Sequence, residues 1–215
     1  MIAVEAAGIG KAYVPGRWVF RYVTLHLSVG EALAVVGPNG SGKTTLLKVL
    51  CGLAEPTEGR VRVILGSQQY APREVLSWAV GVVAPFLRLY TEFTPWELVG
   101  LSLRLRGMQW DQEKTAALME RLGLQEVAQQ RIGTLSTGMQ QRVRVALAVA
   151  HRPLVLVLDE VAAVLDPAGR EAVAELVAQH RQQGGIVLVA TNTDYERSWC
   201  ERVVELPSGR EFCGR

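Results

Sequence analysis

Nine consecutive residues, Gly37, Pro38, Asn39, Gly40, Ser41, Gly42, Lys43, Thr44 and Thr45, fit the spacing G-x-x-x-x-G-K-[ST] of a P-loop. Glycine at three of these positions lets the backbone turn sharply and point successive N–H groups into one concavity, because no Cβ stands in the way. Such a cup holds phosphate oxygens. A lysine at the position of Lys43 reaches the β- and γ-phosphates, and a hydroxyl at the position of Thr44 is placed to ligate Mg²⁺. A second group able to do chemistry is Asp159-Glu160, which closes the apolar run 154–158. A lone carboxylate at the end of a buried strand is costly unless it is paired or lies near a cation, and Mg²⁺ is the natural partner for Asp159. Glu160 stands one step further out, where a carboxylate polarises a water for in-line attack on a γ-phosphate. The bland alternative, that the pair only caps the following loop, loses weight beside a P-loop.

These residues need elements to position them. Residues 32–36 read as a short buried strand before the loop. Residues 45–51 read as a helix after it, stopped by Gly52, whose positive end faces the phosphates. Residues 154–158 and 186–190 are continuously apolar, as in parallel strands covered on both faces, and the second ends at Thr191-Asn192. Ligands in such sheets sit beyond the carboxyl ends of the strands, so Gly37, Asp159-Glu160 and Asn192 should converge. Residues 60–65 and 80–84 read as two further strands, and residues 1–30 as an antiparallel β-region with Pro15-Gly16 at a turn.

Between residues 86 and 150 the texture becomes helical. Thr94-Pro95-Trp96-Glu97 is a capping box with proline at the first helical position, followed by Leu98, Leu101 and Leu105 at helical spacing up to Gly107. Asp111 caps a second helix carrying Leu118 and Leu122 and stopped by Gly123. A third spans 139–150, with an apolar face of Met139, Val143, Ala146, Leu147 and Ala150. Asp166-Pro167 opens a fourth, with Val173, Leu176, Val177 and His180 on one stripe before Gly184-Gly185. The expected fold is α/β: a P-loop core with a mostly parallel sheet, an N-terminal antiparallel β-region and an inserted helical subdomain. One domain is expected over 1–215, with the core at 1–85 and 151–215 and the helical subdomain at about 86–150.

Composition narrows the function. The chain has 215 residues, 49% apolar and 20% charged, with a net charge of +2. That suits a buried core, and the charge is too small to argue for nucleic acid. No apolar run reaches the ~18 residues of a membrane span, and no N-terminal stretch reads as a signal peptide. A membrane role therefore calls for another chain to do the spanning. Cys51, Cys200 and Cys213 show no metal-ligand spacing and read as buried or stray thiols. Tyr13 has two readings, stacking on a nucleobase or packing against the sheet.

The P-loop, then Leu135-Ser136-Thr137-Gly138-Met139-Gln140-Gln141-Arg142, then 154–160, then Leu165-Asp166, in this order, resemble the ATP-binding subunit of an ABC transporter over essentially the whole chain. The resemblance implies two such domains facing head to tail, each ATP lying between the P-loop of one and the signature segment of the other. It implies that Ser136 and Gly138 grip the γ-phosphate across that interface. It makes Asp166 the aspartate that links the two sites and Tyr13 the adenine-stacking aromatic. ATP, Mg²⁺, a membrane-spanning permease and a second ATP-binding domain are the implied cofactors and partners. The implied location is the cytoplasmic face of the membrane, peripheral through the permease. Segments 84–90 and 184–188 are similar to the compact ATP-binding subunit of the bacterial haem exporter of cytochrome c maturation.

The chain departs from the family pattern at three places. Thr137 and Met139 replace the usual glycine and glutamine of Leu-Ser-Gly-Gly-Gln. Pro85 stands where the family has a glutamine that contacts Mg²⁺ or water. Asn192 stands where it has a switch histidine near the γ-phosphate, so the catalytic set is Lys43, Glu160 and an uncharged Asn192. An active but slow ATPase is expected. A nucleotide-gated interaction module with little turnover, or a soluble ABC ATPase acting on ribosomes or DNA, remains the alternative.

Overall fold

The computed structural model describes residues 2–206. Cys213 lies outside the described residues. The elements, in chain order, are β1 (Ile2–Val14), β2 (Arg17–Ser28), β3 (Ala32–Val36), α1 (Lys43–Leu50), β4 (Glu58–Leu65), β5 (Gln68–Tyr70), α2 (Pro72–Ala79), β6 (Val80–Val83), α3 (Pro95–Leu105), α4 (Gln112–Arg121), α5 (Thr137–Val149), β7 (Val155–Asp159), α6 (Pro167–Gln182), β8 (Ile186–Thr191), α7 (Asp194–Arg197) and β9 (Arg202–Glu205).

Two sheets result. One is antiparallel, in the order β2-β1-β4-β5, and the other is parallel, in the order β6-β7-β8-β3-β9. In the parallel sheet successive side chains serve opposite faces. Leu33, Val35, Val155, Val157, Ile186 and Leu188 pack with α1 and the antiparallel sheet. Leu156, Leu158, Val187 and Val189 pack with α3 to α6 on the other side. Both faces are covered, which is why β7 and β8 read as unbroken apolar runs. The expected α/β architecture, with an antiparallel N-terminal sheet, a parallel core and helices inserted between β6 and β7, is the one observed.

Register places the functional residues. Val36 pairs with Thr191, and Asp159 with Ala190. Because the strands are parallel, Gly37, Glu160 and Asn192 leave the same sheet edge side by side.

Several local expectations shift. The helix after the P-loop starts at Lys43, two residues earlier than its sequence reading, because Gly42 takes the N-cap with φ 102°. Within the β-region read over 1–30, Arg17–Ser28 forms one continuous strand, β2, and Val29 lies beyond its end. Leu105 is 79% exposed, and α3 instead turns Leu98, Val99, Gly100 and Leu103 inward. The cause is Gly100: a Cβ there would stand 2.7 Å from the Trp110 ring, so the ring packs onto that face. In α5, Val145 and Ala148 are buried while Met139, Leu147 and the C-cap Ala150 are only half-buried, since the helix is covered by β6 on one side and α3 and α6 on another. Elements β5, α2, α7 and β9 escape the sequence reading; each is short, and α2 buries only Pro72, Val75 and Ala79. Burial pushes the Cys51 and Cys200 thiols up to about 11 and about 12, in keeping with inert residues. His180 is half-buried near the end of α6, and burial lowers its pKa.

Candidate active site

The loop between β3 and α1 is shaped by contacts that only glycine allows. Gly37 has φ 148°, and a Cβ on it would stand 2.3 Å from the Leu206 carbonyl oxygen. A Cβ on Gly42 would stand 2.6 Å from Val19 Cγ1, so β2 presses directly on the loop. Pro38, Asn39 and Gly40 form its exposed crest. Lys43 folds back underneath, 5% exposed, and its Nζ donates to the Gly37 carbonyl at 2.8 Å and the Pro38 carbonyl at 3.3 Å. The Ser41 hydroxyl is buried without a hydrogen-bond partner among the described residues. A buried polar atom left unpaired in this way calls for a ligand oxygen. The first-turn amides of α1, including those of Thr44 and Thr45, have no intrahelical acceptor, so the cup meets an electropositive helix end.

The acidic pair arrives from β7. Asp159 is 3% exposed, and its Oδ2 accepts from the Thr44 hydroxyl at 2.7 Å. Burial pushes the Asp159 carboxyl up from the ordinary carboxylate value. The Thr44 hydrogen bond pulls against this, the Glu160 charge adds to it, and Lys43 and Lys48 oppose it. A carboxylate and a hydroxyl held together at the cup are an oxygen donor set suited to Mg²⁺.

Glu160 takes a left-handed backbone, φ 50°, which a non-glycine residue adopts only when its surroundings enforce it. Its N–H donates to the Ala190 carbonyl at 2.9 Å. Its Oε1 lies 3.8 Å from Lys43 Nζ and accepts from Asn192 Nδ2 at 3.2 Å. The same Asn192 amide donates to Asn39 Oδ1 at 2.7 Å. Lys43, Thr44, Asp159, Glu160, Asn192 and the loop crest are thus joined by direct contacts.

A buried carboxylate behind this cluster has no counterpart in the sequence reading. Glu196, 2% exposed on α7, accepts from the Ala162 N–H at 2.8 Å and from the Thr191 hydroxyl. It ties the segment after Glu160 to the residue before Asn192. The pattern Thr193-x-x-Glu196 is a readable helix-start signal, and Thr193 does cap α7. Its inward-facing glutamate is not readable, because local spacing carries no information about what lies behind it.

The signature residues form a second group. Ser136 is the N-cap of α5 and accepts from the Met139 N–H at 3.2 Å. Thr137 is the first helical residue, so its Cβ costs nothing there. Gly138 has a packing reason, since a Cβ on it would stand 3.1 Å from the Val164 carbonyl oxygen. Asp166 caps α6 through the Gly169 N–H at 2.9 Å and pairs with Arg142. No hydrogen bond or ion pair among the described residues joins Ser136, Gly138 or Asp166 to the P-loop. Tyr13 stands 62% exposed at the end of β1, with Lys11 Nζ 5.1 Å from its ring centre. Pro85 is exposed just beyond β6, and its neighbours Ala84 and Phe86 line a small cavity together with Thr44 and Asp159.

The sequence profile of the family described as ABC transporter matches residues 20–163. The uncharacterized ABC transporter ATP-binding protein YxlF of Bacillus subtilis (strain 168) is 33% identical over 211 residues, 97% of this chain and 68% of that protein. Nod factor export ATP-binding protein I of Rhizobium johnstonii (strain DSM 114642 / LMG 32736 / 3841) is 30% identical over 214 residues, 98% of this chain and 68% of its own length. Among solved structures, the dimeric bacterial ABC transporter cassette MJ0796 superposes with a TM-score of 0.85 at 25% identity, covering 98% of this chain and 97% of that one. The same values hold for its dimeric post-hydrolysis state bound to ADP and phosphate.

Proposed function

The chain belongs to the ABC transporter family as an ATP-hydrolysing cassette, and from that premise we propose that two copies enclose two ATP molecules and drive a membrane-spanning permease. The observation that carries this is the convergence of the phosphate cup, Asp159, Glu160 and Asn192 on one sheet edge.

The cup and the start of α1 bind the β- and γ-phosphates, and Lys43 exchanges its bonds to the Gly37 and Pro38 carbonyls for phosphate oxygens. Tyr13 stacks on the adenine. Thr44 and Asp159 would hold Mg²⁺, which when bound neutralises charge on the phosphate oxygens. Glu160 orients and deprotonates the attacking water, and Asn192 fixes the Glu160 rotamer against the loop crest. Ser136, Gly138 and Asp166 have no hydrogen bond or ion pair to this cluster among the described residues. They present themselves to the nucleotide of a second copy, which is how one chain supplies half of each site. Residues 86–150 act as the helical subdomain, and the surface near Pro85–Pro95 receives the permease. Among the described residues no helix is long and apolar enough to cross a membrane, so the location at the cytoplasmic face depends on that permease.

The finer reading, haem export for cytochrome c assembly, rests on segments 84–90 and 184–188 alone; cytochrome-assembly genes beside this one would support it. The broader reading is tested by isolating the chain from native membranes. A hydrophobic multi-span protein should accompany it. Recovery with ribosomes or DNA instead would replace transport by the soluble alternative.

Asn192 bears on rate. It donates hydrogen bonds but carries no charge, whereas a histidine could add a charge-assisted donor at the γ-phosphate. Asn192→His should raise phosphate release at saturating Mg·ATP by roughly tenfold. Unchanged turnover would remove residue 192 from contact with the reacting phosphate and favour the gated-module alternative.

A further inference from the structure

Arg142 stands outside the phosphate cup, yet it joins the two segments offered to the second copy. Its side chain is only 13% exposed. One guanidinium nitrogen, Nη1, donates to the Leu122 carbonyl at the end of α4 at 3.0 Å. The other, Nη2, pairs with Asp166 Oδ1, the same oxygen that caps α6 through Gly169. Room for this fork is made by two glycines. A Cβ on Gly123 would stand 2.6 Å from Nη1, and a Cβ on Gly169 would stand 2.8 Å from Nε and 2.8 Å from Asp166 Oδ1. Arg142 itself rides on α5, the helix that Ser136 caps.

A planar guanidinium with donors in fixed directions satisfies two acceptors from two segments at once, which a lysine ammonium on a flexible stem does poorly. We propose that Arg142 is a positioning residue that locks the Ser136 and Asp166 segments into one rigid edge, so that both reach the second copy's nucleotide together. This rests on the head-to-tail pairing proposed above. On this account Arg142 adds nothing to nucleotide binding within its own chain; its effect appears only when two copies close. A purely structural ion pair would weaken both alike.

The test uses the Glu160→Gln chain, which should hold ATP without consuming it. Two variants are added separately to it. Arg142→Lys keeps the charge and loses the fork. Gly169→Ala favours the helix by propensity but drives a Cβ into the pair. ATP affinity is measured on dilute monomer by competition with a fluorescent ATP analogue, and closure by sedimentation velocity with Mg·ATP. Both variants should keep monomer affinity within about twofold while requiring roughly tenfold more protein to dimerise, because an edge no longer held by the Arg142–Asp166 pair must be ordered on closing in each copy. An unchanged dimerisation midpoint overturns the inference. So does a fall in monomer affinity that parallels the loss of dimer. If Glu160→Gln alone stays monomeric with Mg·ATP, the head-to-tail reading itself fails and takes the inference with it.

Discussion

Glu160→Gln is expected to bind Mg·ATP as tightly as the unaltered chain and to lose turnover by a factor on the order of 10² to 10⁴, the usual contribution of a positioned general base. The substitution is nearly isosteric. A glutamine oxygen can still accept from Asn192 Nδ2, as Glu160 Oε1 does at 3.2 Å, and the left-handed backbone at φ 50° is retained. What is lost is the ability to take a proton from water. Glu160 is also the one side chain of the acidic pair with room to face a water molecule. Asp159 is 3% exposed and engaged by Thr44, while the Glu160 side chain is 39% exposed. Phosphate release and equilibrium ATP binding, measured on the same preparation, give the answer. Equal rates for the two proteins would take Glu160 out of the chemistry.

Lys43→Met should instead remove binding. Its methylene stem preserves the packing of a residue that is 5% exposed, so the change isolates the ammonium. That group now bridges the Gly37 and Pro38 carbonyls and lies 3.8 Å from Glu160 Oε1. Without it, two carbonyls lose their donor, and on the proposed binding mode the triphosphate loses a fixed positive charge. ATP affinity should fall roughly tenfold to hundredfold, the value of one or two charge-assisted hydrogen bonds, and turnover should become undetectable. Titration calorimetry with Mg·ATP checks the first figure. Affinity within twofold of the unaltered chain would mean that the backbone cup alone holds the phosphates.

The two substitutions separate binding from chemistry, and their sites differ in how openly the sequence displays them. The phosphate cup is legible because its residues are consecutive and its glycines are demanded locally: Gly37 and Gly42 sit where a Cβ would strike Leu206 or Val19. The carboxylates are legible for another reason. Asp159 and Glu160 end a strand whose unbroken apolar run announces burial on both faces, and parallel strands deliver their ends to one edge. Glu196 and Arg142 are not legible as site residues. Each acts through partners distant in sequence, Ala162 and Thr191 for the first, Leu122 and Asp166 for the second. The face of α3 is misplaced at Leu105 because periodicity cannot foresee the Trp110 ring seated on Gly100. In each case what is missing is a contact between elements, which follows from tertiary packing and leaves no mark in local pattern.

A structure of the Glu160→Gln chain with Mg·ATP tests the central claim most directly. The account predicts two copies, with phosphate oxygens on the amides of the cup and the metal beside Thr44 and Asp159. The substituted side chain at position 160 should lie near the γ-phosphate, and Ser136 of the second copy should reach it from across the interface. A triphosphate bound away from the cup, or carboxylates remote from the metal, would contradict it.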